Sequence, residues 1–600
     1  MEITRTFDIL ENYKTTYIDK IDAFVGKEKG FWKKYSAADY IENVDNISYG
    51  LLSLGLKKGD KVATISNNRP EWNFVDMGLA QAGLIHIPIY PTISNEDYSY
   101  IINHCSPKLI IVSDNSLYER IKPIAVTIPS ITDIYSFNEI EGVKNWIEIK
   151  EAGKKNSKKY FDELKKVREN IKPDETITLI YTSGTTGNPK GVMLSHNNII
   201  SNIRSISKVF HFNQTHRTLS FLPINHIFER TVNYYFQNNG LSIFYAENLG
   251  TIADNLRDVK PNVFITVPRL LEKLYDKIIG KGRELKGIKK RIFFWAVKLG
   301  FRYKLKKTNG LLYNLKLKIA DKLVYSKWRA ALGGNVDLIV SGGAALQPRL
   351  TRIFNAAGIT LIEGYGLTET SPVIAVNNIT TGEIKIGTVG PPLSDIKVKI
   401  SKDGEILCKG PNVMQGYYKK PGLTKQVIDR DGWFHTGDLG IFEDNKYLKI
   451  TGRKKEIFKL SSGKYVSPQV IENRFKESIF IEHIMVVGEN QKFASAVISP
   501  NFPFLHNWCS SNGVNYRDNK DLIQNNKVVQ LYQQEVNTLN KQLGQAEKIK
   551  RFRLVHEEWS PLTGELSPTL KLKRKLLAEK YSDLLQEIFS VENSSVAEIV

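Results

Sequence analysis

An α/β fold in more than one domain is what three features of this sequence predict. Its 600 residues, 42 % of them hydrophobic, are too many for one core and ample for two or more. Residues 1–175 alternate helical patterns with short β-branched runs, KVATIS at 61–66, IHIPIY at 85–90 and LIIVS at 109–113, which is how layered strands and helices read. Further on, IGTVGPPL at 386–393 and GEILCKGPNVMQGYY at 404–418 read as short strands with Gly and Pro turns, suited to a small β-barrel-like subdomain. Beyond residue 470, the strands IEHIMVVG and ASAVIS with amphipathic helices such as 528–543 predict a compact α+β module.

The bulk chemistry narrows the class. Residues 1–17 carry acids and lack the apolar core of a signal peptide, and no stretch offers the roughly 18 uninterrupted apolar residues that span a bilayer, so a cytoplasmic location is expected. Cys105, Cys408 and Cys509 are far apart and make no metal-ligand spacing, which argues against a disulfide framework and a zinc site. A formal net charge of +21 suits nucleic acid, an anionic membrane, or anionic substrates such as ATP and coenzyme A. No recognised nucleic-acid-binding module accompanies the charge, so no nucleic acid is expected.

Chemistry concentrates first at TSGTTGNPKG, residues 182–191. An apolar run from Ile177 to Tyr181 leads in and a helix begins near Ser195, so the segment reads as strand, loop and helix. Gly184, Gly187 and Gly191 let the backbone approach a polyanion, Thr182, Ser183, Thr185 and Thr186 add hydroxyl donors, and Lys190 adds a point charge. The same residue types also make ordinary polar turns. A Walker loop is excluded, because Lys190 follows Pro189 and precedes Gly191 rather than Ser or Thr.

Later strand ends supply the remaining candidates. TLSFLPINHIFER at 218–230 places His226 and Glu229 three residues apart just past a strand; a histidine beside apolar residues is equally a satisfied core residue. LSIFY at 241–245 and NVFITVPRLLEKL at 262–274 again read as strands feeding loops or helices. DLIVSGGAAL at 337–346 reads as a buried strand ending in Gly342 and Gly343, followed by Ala344, and the two glycines would let a planar base slide against backbone. TLIEGYGLTETSP brings Tyr365, Gly366, Thr368 and Glu369: an aromatic for stacking, a hydroxyl for an α-phosphate, and a carboxylate for Mg²⁺, which is usually held by one or two carboxylates plus substrate phosphates. In DGWFHTGDLG, Asp438 could accept both ribose hydroxyls or be a hairpin-turn residue. TGRKKEIFKLSSGKYVSP, with its basic run, reads as a domain junction.

The TSGTTGNPKG loop closely resembles the signature loop of the AMP-forming adenylating enzymes, and GYGLTE, TGDLG and TGRKKE follow it in that family's order. GELSPTLKLKRKLL at 564–577 with LPINHIFER resembles the long-chain fatty acyl subgroup, a departure from the family's more general ending. The resemblance implies a large domain, 1–452, a hinge at 453–456 and a small, mobile domain, 457–600. It implies that the 182–191 loop holds the β- and γ-phosphates of ATP, that His226 lines the acyl site, that Arg453 contacts ribose and phosphate, and that Lys455 is the pivot. Aligning Lys-x-x-Arg makes Lys571 the catalytic lysine, with Lys573 the alternative. The implied reaction is that of a long-chain fatty acid CoA ligase using Mg²⁺, ATP and coenzyme A. An acyl-carrier-protein synthetase and a non-catalytic fatty-acid or membrane-binding relative are the alternatives.

Residues 283–307, RELKGIKKRIFFWAVKLGFRYKLKK, carry ten Lys or Arg and one acid. At helical spacing Ile292, Trp295, Ala296, Leu299 and Tyr303 share a face. That pattern fits a core-packed helix with a basic rim, or a helix lying on an anionic membrane at the inner face of the cell membrane.

Overall fold

Strands form where the β-branched runs are: Lys61–Ile65, Ile85–Ile89, Leu109–Val112, Arg217–Ser220, Ser242–Tyr245, Val263–Thr266, Leu338–Ser341 and Thr360–Gly366. The computed structural model describes residues 2–182, 188–305, 309–567 and 570–590. They divide into two units: Met1–Lys399 with Leu407–His435 and Glu443–Leu448, and Ile400–Ile406 with Thr436–Phe442 and Lys449–Val600. Among the described residues, no helix is long and apolar enough to cross a membrane.

The first unit contains two eight-stranded sheets. One runs in the order Val373–Val376, Thr360–Gly366, Leu338–Ser341, Val263–Thr266, Arg217–Ser220, Ser242–Tyr245, Phe24–Glu28, Phe31–Tyr35. Its inner pairs are parallel and its two edge pairs antiparallel. The other runs Gly416–Tyr417, Lys190–Ser195, Thr176–Thr182, Ile85–Ile89, Lys61–Ile65, Leu109–Val112, Asp133–Ser136, Lys144–Asn145. Parallel sheets need both faces covered, and strands such as Leu109–Val112 and Leu338–Ser341 are accordingly buried at every position. Each Ile, Leu or Val hidden this way contributes about 1.5–3 kcal/mol.

Helix Pro70–Gln81 is buried all round and touches strands of both sheets, Phe24–Glu28 and Ile85–Ile89. Its Asp76 forms the centre of a buried ionic cluster. The Arg230 guanidinium donates to Asp76 at 2.5 Å and to the Thr178 hydroxyl at 2.8 Å, while the His86 Nδ1 lies 2.6 Å from the same carboxylate and Tyr234 donates to it at 2.5 Å. Burial pushes the Asp76 carboxyl up, but the Arg230 charge and the bonds from His86 and Tyr234 outweigh it and hold the group at about 2. Helix Ile227–Asn238, which carries Arg230, is thereby tied to strand Thr176–Thr182.

Segment 176–207 corrects the strand–loop–helix expectation. Thr176–Thr182 is answered by a second, antiparallel strand, Lys190–Ser195, and only then does helix His196–Ser207 begin, with Ser195 and Asn198 forming its capping box. Burial on the second strand holds it in the sheet, since Gly191, Val192, Leu194 and Ser195 are all buried. IGTVGPPL also differs from expectation. It makes no regular strand and contributes one isolated bridge, Ala375 to Pro392, because Pro391 and Pro392 offer no backbone N–H to a ladder. The neighbouring Gly- and Pro-punctuated region builds a four-stranded sheet in the order Lys397–Ile400, Glu405–Lys409, Phe434–Glu443, Tyr447–Arg453.

In the second unit, Ile481–Val487, Ala494–Pro500 and Ile549–Leu554 form a three-stranded sheet. Alternation along the strands sends Ile484, Val486, Ala496 and Ile498 into one core and Met485 and Val497 into another. The first core is closed by helices Pro468–Phe475, Phe502–Ser511 and Asn526–Asn540. The second takes Trp559, Leu566, Leu577, Tyr581 and Ile588, with Leu570 and Leu572 packed against it.

Candidate active site

The hairpin places Thr182 and Lys190 directly across from each other at the point where the loop leaves the sheet. Ser183, Gly184, Thr185, Thr186 and Gly187 lie outside the described residues. The Lys190 ammonium sits 5.1 Å from the centre of the Tyr417 ring, and strand Gly416–Tyr417 pairs with the strand that Lys190 opens. The Tyr417 hydroxyl donates to the Glu369 carboxylate at 2.8 Å, and the Met414 N–H donates to the Glu369 carbonyl at 2.9 Å. Thr368 and Glu369 stand on a single turn, Thr368–Thr370, which touches strand Lys190–Ser195. The lysine that closes the glycine-rich loop, the tyrosine and the carboxylate are thus consecutive neighbours. Tyr417 escaped the sequence reading, since nothing in MQGYY shows that it pairs with a strand more than two hundred residues earlier.

His226 caps helix Ile227–Asn238: its Nδ1 accepts from the Phe228 N–H at 3.1 Å, so in the neutral ring the proton is on Nε2. The ring centre lies 6.5 Å from that of Tyr90. Phe228, two residues on, abuts the other candidate segment, for a Cβ built on Gly342 would lie 3.1 Å from its ring. Gly342 is buried, Gly343 and Ala344 are exposed, and the loop they open is held by the Leu346 N–H donating to Glu363 at 3.3 Å. Tyr365 is half-buried, and at Gly366 a Cβ would fall 1.8 Å from the Pro372 carbonyl oxygen, so only glycine fits the strand crossing there.

Two buried acids behind this surface are strongly perturbed. Burial pushes the Glu229 carboxyl up to about 8, against the opposing bonds from Ser220 at 2.5 Å and Asn233 at 3.0 Å, so it carries a proton at neutral pH. Burial likewise raises Glu363 to about 8. A chain of hydrogen bonds, Tyr40 to Gln237, Gln237 to Asn73, Asn73 to Tyr245, Tyr245 to Asn233 and Asn233 to Glu229, runs through the interior to the first of them. Glu229 therefore serves the scaffold under His226 rather than an open cleft.

In the second unit the Arg453 Nε donates to Asp438 at 2.9 Å, while the Asp438 N–H is accepted by the Thr436 hydroxyl at 3.1 Å. The two residues proposed from sequence for ribose and phosphate are therefore a pair. Lys455 is exposed; Lys454 beside it donates its N–H to the Gly437 carbonyl and its ammonium to Asp403 and Glu405. Lys571 is exposed, its N–H donating to the Ser567 hydroxyl and its carbonyl accepting the Ser567 N–H. The anchored Leu570 and Leu572 flank it. Lys573 is half-buried as the residue before helix Arg574–Lys580. Arg574, the arginine of the Lys-x-x-Arg alignment, pairs with Glu472 at 2.6 Å and with Glu456 at 3.3 Å.

These elements define an adenylate-forming architecture, and comparison with known proteins agrees. The family model described as AMP-binding enzyme matches residues 14–418, and the AMP-binding enzyme C-terminal domain matches 455–593. The chain belongs to the AMP-binding enzyme family. It is 31 % identical over 573 residues to a Mycobacterium tuberculosis protein named long-chain-fatty-acid–CoA ligase FadD15, covering 94 % of this chain and 93 % of that one. It is 31 % identical to the human long-chain-fatty-acid–CoA ligase 1, covering 92 % and 82 %. Among solved structures, the adenylation domain of a Mycobacterium chelonae carboxylate reductase matches with a TM-score of 0.75 at 20 % identity, over 98 % of this chain and 91 % of that one. An anthranilate CoA ligase bound to anthranoyl-AMP matches at 0.69 and 17 %, over 96 % and 97 %. Both structures share the fold.

Proposed function

We propose that the protein is a long-chain fatty acid CoA ligase. A fatty carboxylate attacks the α-phosphorus of ATP, giving acyl adenylate and pyrophosphate; the coenzyme A thiol then attacks the acyl carbon, giving acyl-CoA and AMP. The neighbouring Thr182, Lys190, Tyr417 and Glu369 carry this reading, because they gather two hydroxyls, a cation and a carboxylate at the mouth of a glycine-rich loop.

In this reading Thr182 and Lys190, with Ser183, Gly184, Thr185, Thr186 and Gly187, hold the β- and γ-phosphates, and Thr368 meets the α-phosphate. Glu369 suits a magnesium ion held mainly by phosphate oxygens: it is a single fixed carboxylate, and among the described residues no group of three or more His, Cys, Asp and Glu could hold a metal alone. Such an ion would neutralise charge developing on the phosphates. Tyr365 stacks on adenine against Gly342, Gly343, Ala344 and Gly366. Arg453 fixes the Asp438 carboxylate for the ribose hydroxyls. His226, capped through Nδ1, presents Nε2–H towards the acyl side.

Lys571 supplies a point charge to adenylation only, and a turn at Lys455 between a large domain, 1–452, and a small one, 457–600, withdraws it for thioester formation. The enzyme works in the cytoplasm, peripheral to an anionic membrane.

Pyrophosphate exchange across carboxylates of graded length tests the substrate class, with the largest kcat/KM expected for long chains. Exchange confined to short or aromatic acids would overturn it. Coenzyme A against acyl carrier protein as acceptor then decides the second half-reaction. For Lys571→Ala, adenylation should fall about 10²–10³-fold, roughly 3–4 kcal/mol, with thioester formation from supplied acyl adenylate preserved. Equal loss in both, or the same selective loss in Lys573→Ala alone, would remove Lys571 from the role.

A further inference from the structure

Helix Leu311–Ala320, continued by the turn Asp321–Tyr325, carries an apolar stripe that faces outward. Leu311 is 90 % exposed, Leu312 67 %, Leu315 58 %, Ile319 47 % and Leu323 43 %. Steps of three, four and four residues from Leu312 to Leu315, Ile319 and Leu323 keep these side chains on one side of a helix. The opposite side is committed inward: Ala320, Val324 and Tyr325 are buried, the Tyr325 hydroxyl donates to the Ala296 carbonyl at 2.6 Å, and the Tyr313 hydroxyl donates to the Leu299 carbonyl at 2.8 Å. Packing on the neighbouring helix Gly287–Gly300 therefore fixes which face is left outside.

Charge says what covers that face. Helical spacing sets Lys318 and Lys322 along one flank of the stripe and Lys316 and Lys327 along the other, all four exposed. Lys289, Lys290, Arg291 and Lys298 are exposed on the adjoining helix. Asp321 is the single acid between Lys286 and Lys327, and Arg329 engages its carboxylate at 2.5 Å. A second copy seated on the stripe would bring lysine rows against lysine rows, a repulsive arrangement. An apolar centre between cationic borders instead matches a bilayer surface, acyl chains below and anionic headgroups at the level of the ammonium groups.

We propose that the Leu311–Leu323 stripe is the surface through which the protein sits on anionic lipid. The proposal rests on the membrane-peripheral reading above and gives it a place. The basic helix beside it turns Phe293, Ala296, Val297 and Leu299 inside the protein and leaves Ile288 exposed at its start, so its contribution is mainly charge.

Co-sedimentation of the full chain with vesicles of phosphatidylcholine, with and without phosphatidylglycerol, tests this. Binding should need phosphatidylglycerol and weaken with salt. Leu311→Ser, Leu315→Ser and Ile319→Ser together should lower partitioning at least about tenfold. Lys316→Gln, Lys318→Gln, Lys322→Gln and Lys327→Gln should lower it up to about fivefold per lysine and flatten the salt dependence. Unchanged activity on a short, soluble fatty acid would show that both variants fold. Undiminished vesicle binding by the folded leucine variant overturns the stripe and leaves the membrane reading standing. Failure of the unaltered protein to bind either vesicle overturns both. A dimer that the leucine variant splits without any change in vesicle binding would make the stripe a seam between copies and likewise overturn it.

Discussion

Arg230 and Arg574 perform the same act in different surroundings. Arg230 is sealed, with side-chain exposure of 1 %, against Asp76, Thr178 and the ring of Trp72. Arg574 keeps 22 % of its side chain in solvent while it holds Glu472 and Glu456. The sealed arginine locks helix Ile227–Asn238, which His226 caps, to the strand that ends at Thr182. The open one ties the segment that follows Lys571 to Glu456, the residue after Lys455. A buried pair has no water to take over when it separates, so it fixes one geometry; a partly wet pair can exchange partners at modest cost. On the proposed reading, the tighter contact lies where ligands would be held and the wetter one beside the lysine that would be moved.

Breaking the sealed cluster should have the largest effect. Arg230→Met leaves Asp76 buried without its counter-charge and should cost about 3–5 kcal/mol of stability, read by denaturant unfolding. A loss below about 1 kcal/mol would mean that Asp76 is held by His86 and Tyr234 alone, and the contrast with Arg574 would narrow.

Next comes the acid at the end of the buried hydrogen-bond chain. Glu229 titrates at about 8 when folded against an ordinary value of 4.5, so the stability it supports is complete below about 4.5 and is lost as pH rises through about 8. Glu229→Gln should remove this slope, worth about 2 kcal/mol between pH 6 and 8. Parallel pH profiles for the two proteins would show that Glu229 is ionised in the fold. Glu363 contributes a slope of the same sign and stays as a background in both.

The smallest effect belongs to the open clamp. Arg574→Gln should cost about 1–1.5 kcal/mol of stability and lower adenylation about tenfold, while thioester formation from supplied acyl adenylate changes little. Equal loss in both half-reactions would make Arg574 a structural prop rather than a positioning residue for Lys571.

How far these features are legible in the sequence depends on the range of the interactions that make them. Strands such as Lys61–Ile65 and Leu338–Ser341 are written locally, in β-branched runs between polar breaks, and Thr182, Lys190, Tyr365 and Glu369 are written in short motifs. The strand Lys190–Ser195 is not, because a lysine and a glycine open it and its partner lies across a loop. Tyr417 reaches Glu369 across forty-eight residues, Arg574 reaches Glu472 across one hundred and two, and Arg230 reaches Asp76 across one hundred and fifty-four. No periodicity encodes such meetings. The outward turn of Leu311 and Leu315 is hidden for the opposite reason, since a leucine-rich helix reads as core until its inner face is seen to be occupied by Tyr313 and Tyr325.

The close approach of Gly342 to Phe228 constrains how this family of sequences can drift. A methyl group at position 342 would press on the ring at 3.1 Å, so the ring would have to give by a few tenths of an ångström. Replacing Phe228 by Leu first opens the space and lets Ala follow at 342 without strain. The reverse order passes through an intermediate in which the ring must first give way. Lineages that carry Ala at this glycine should therefore descend from ancestors that had already given up the aromatic, and the order of the two changes on a phylogenetic tree records a packing contact.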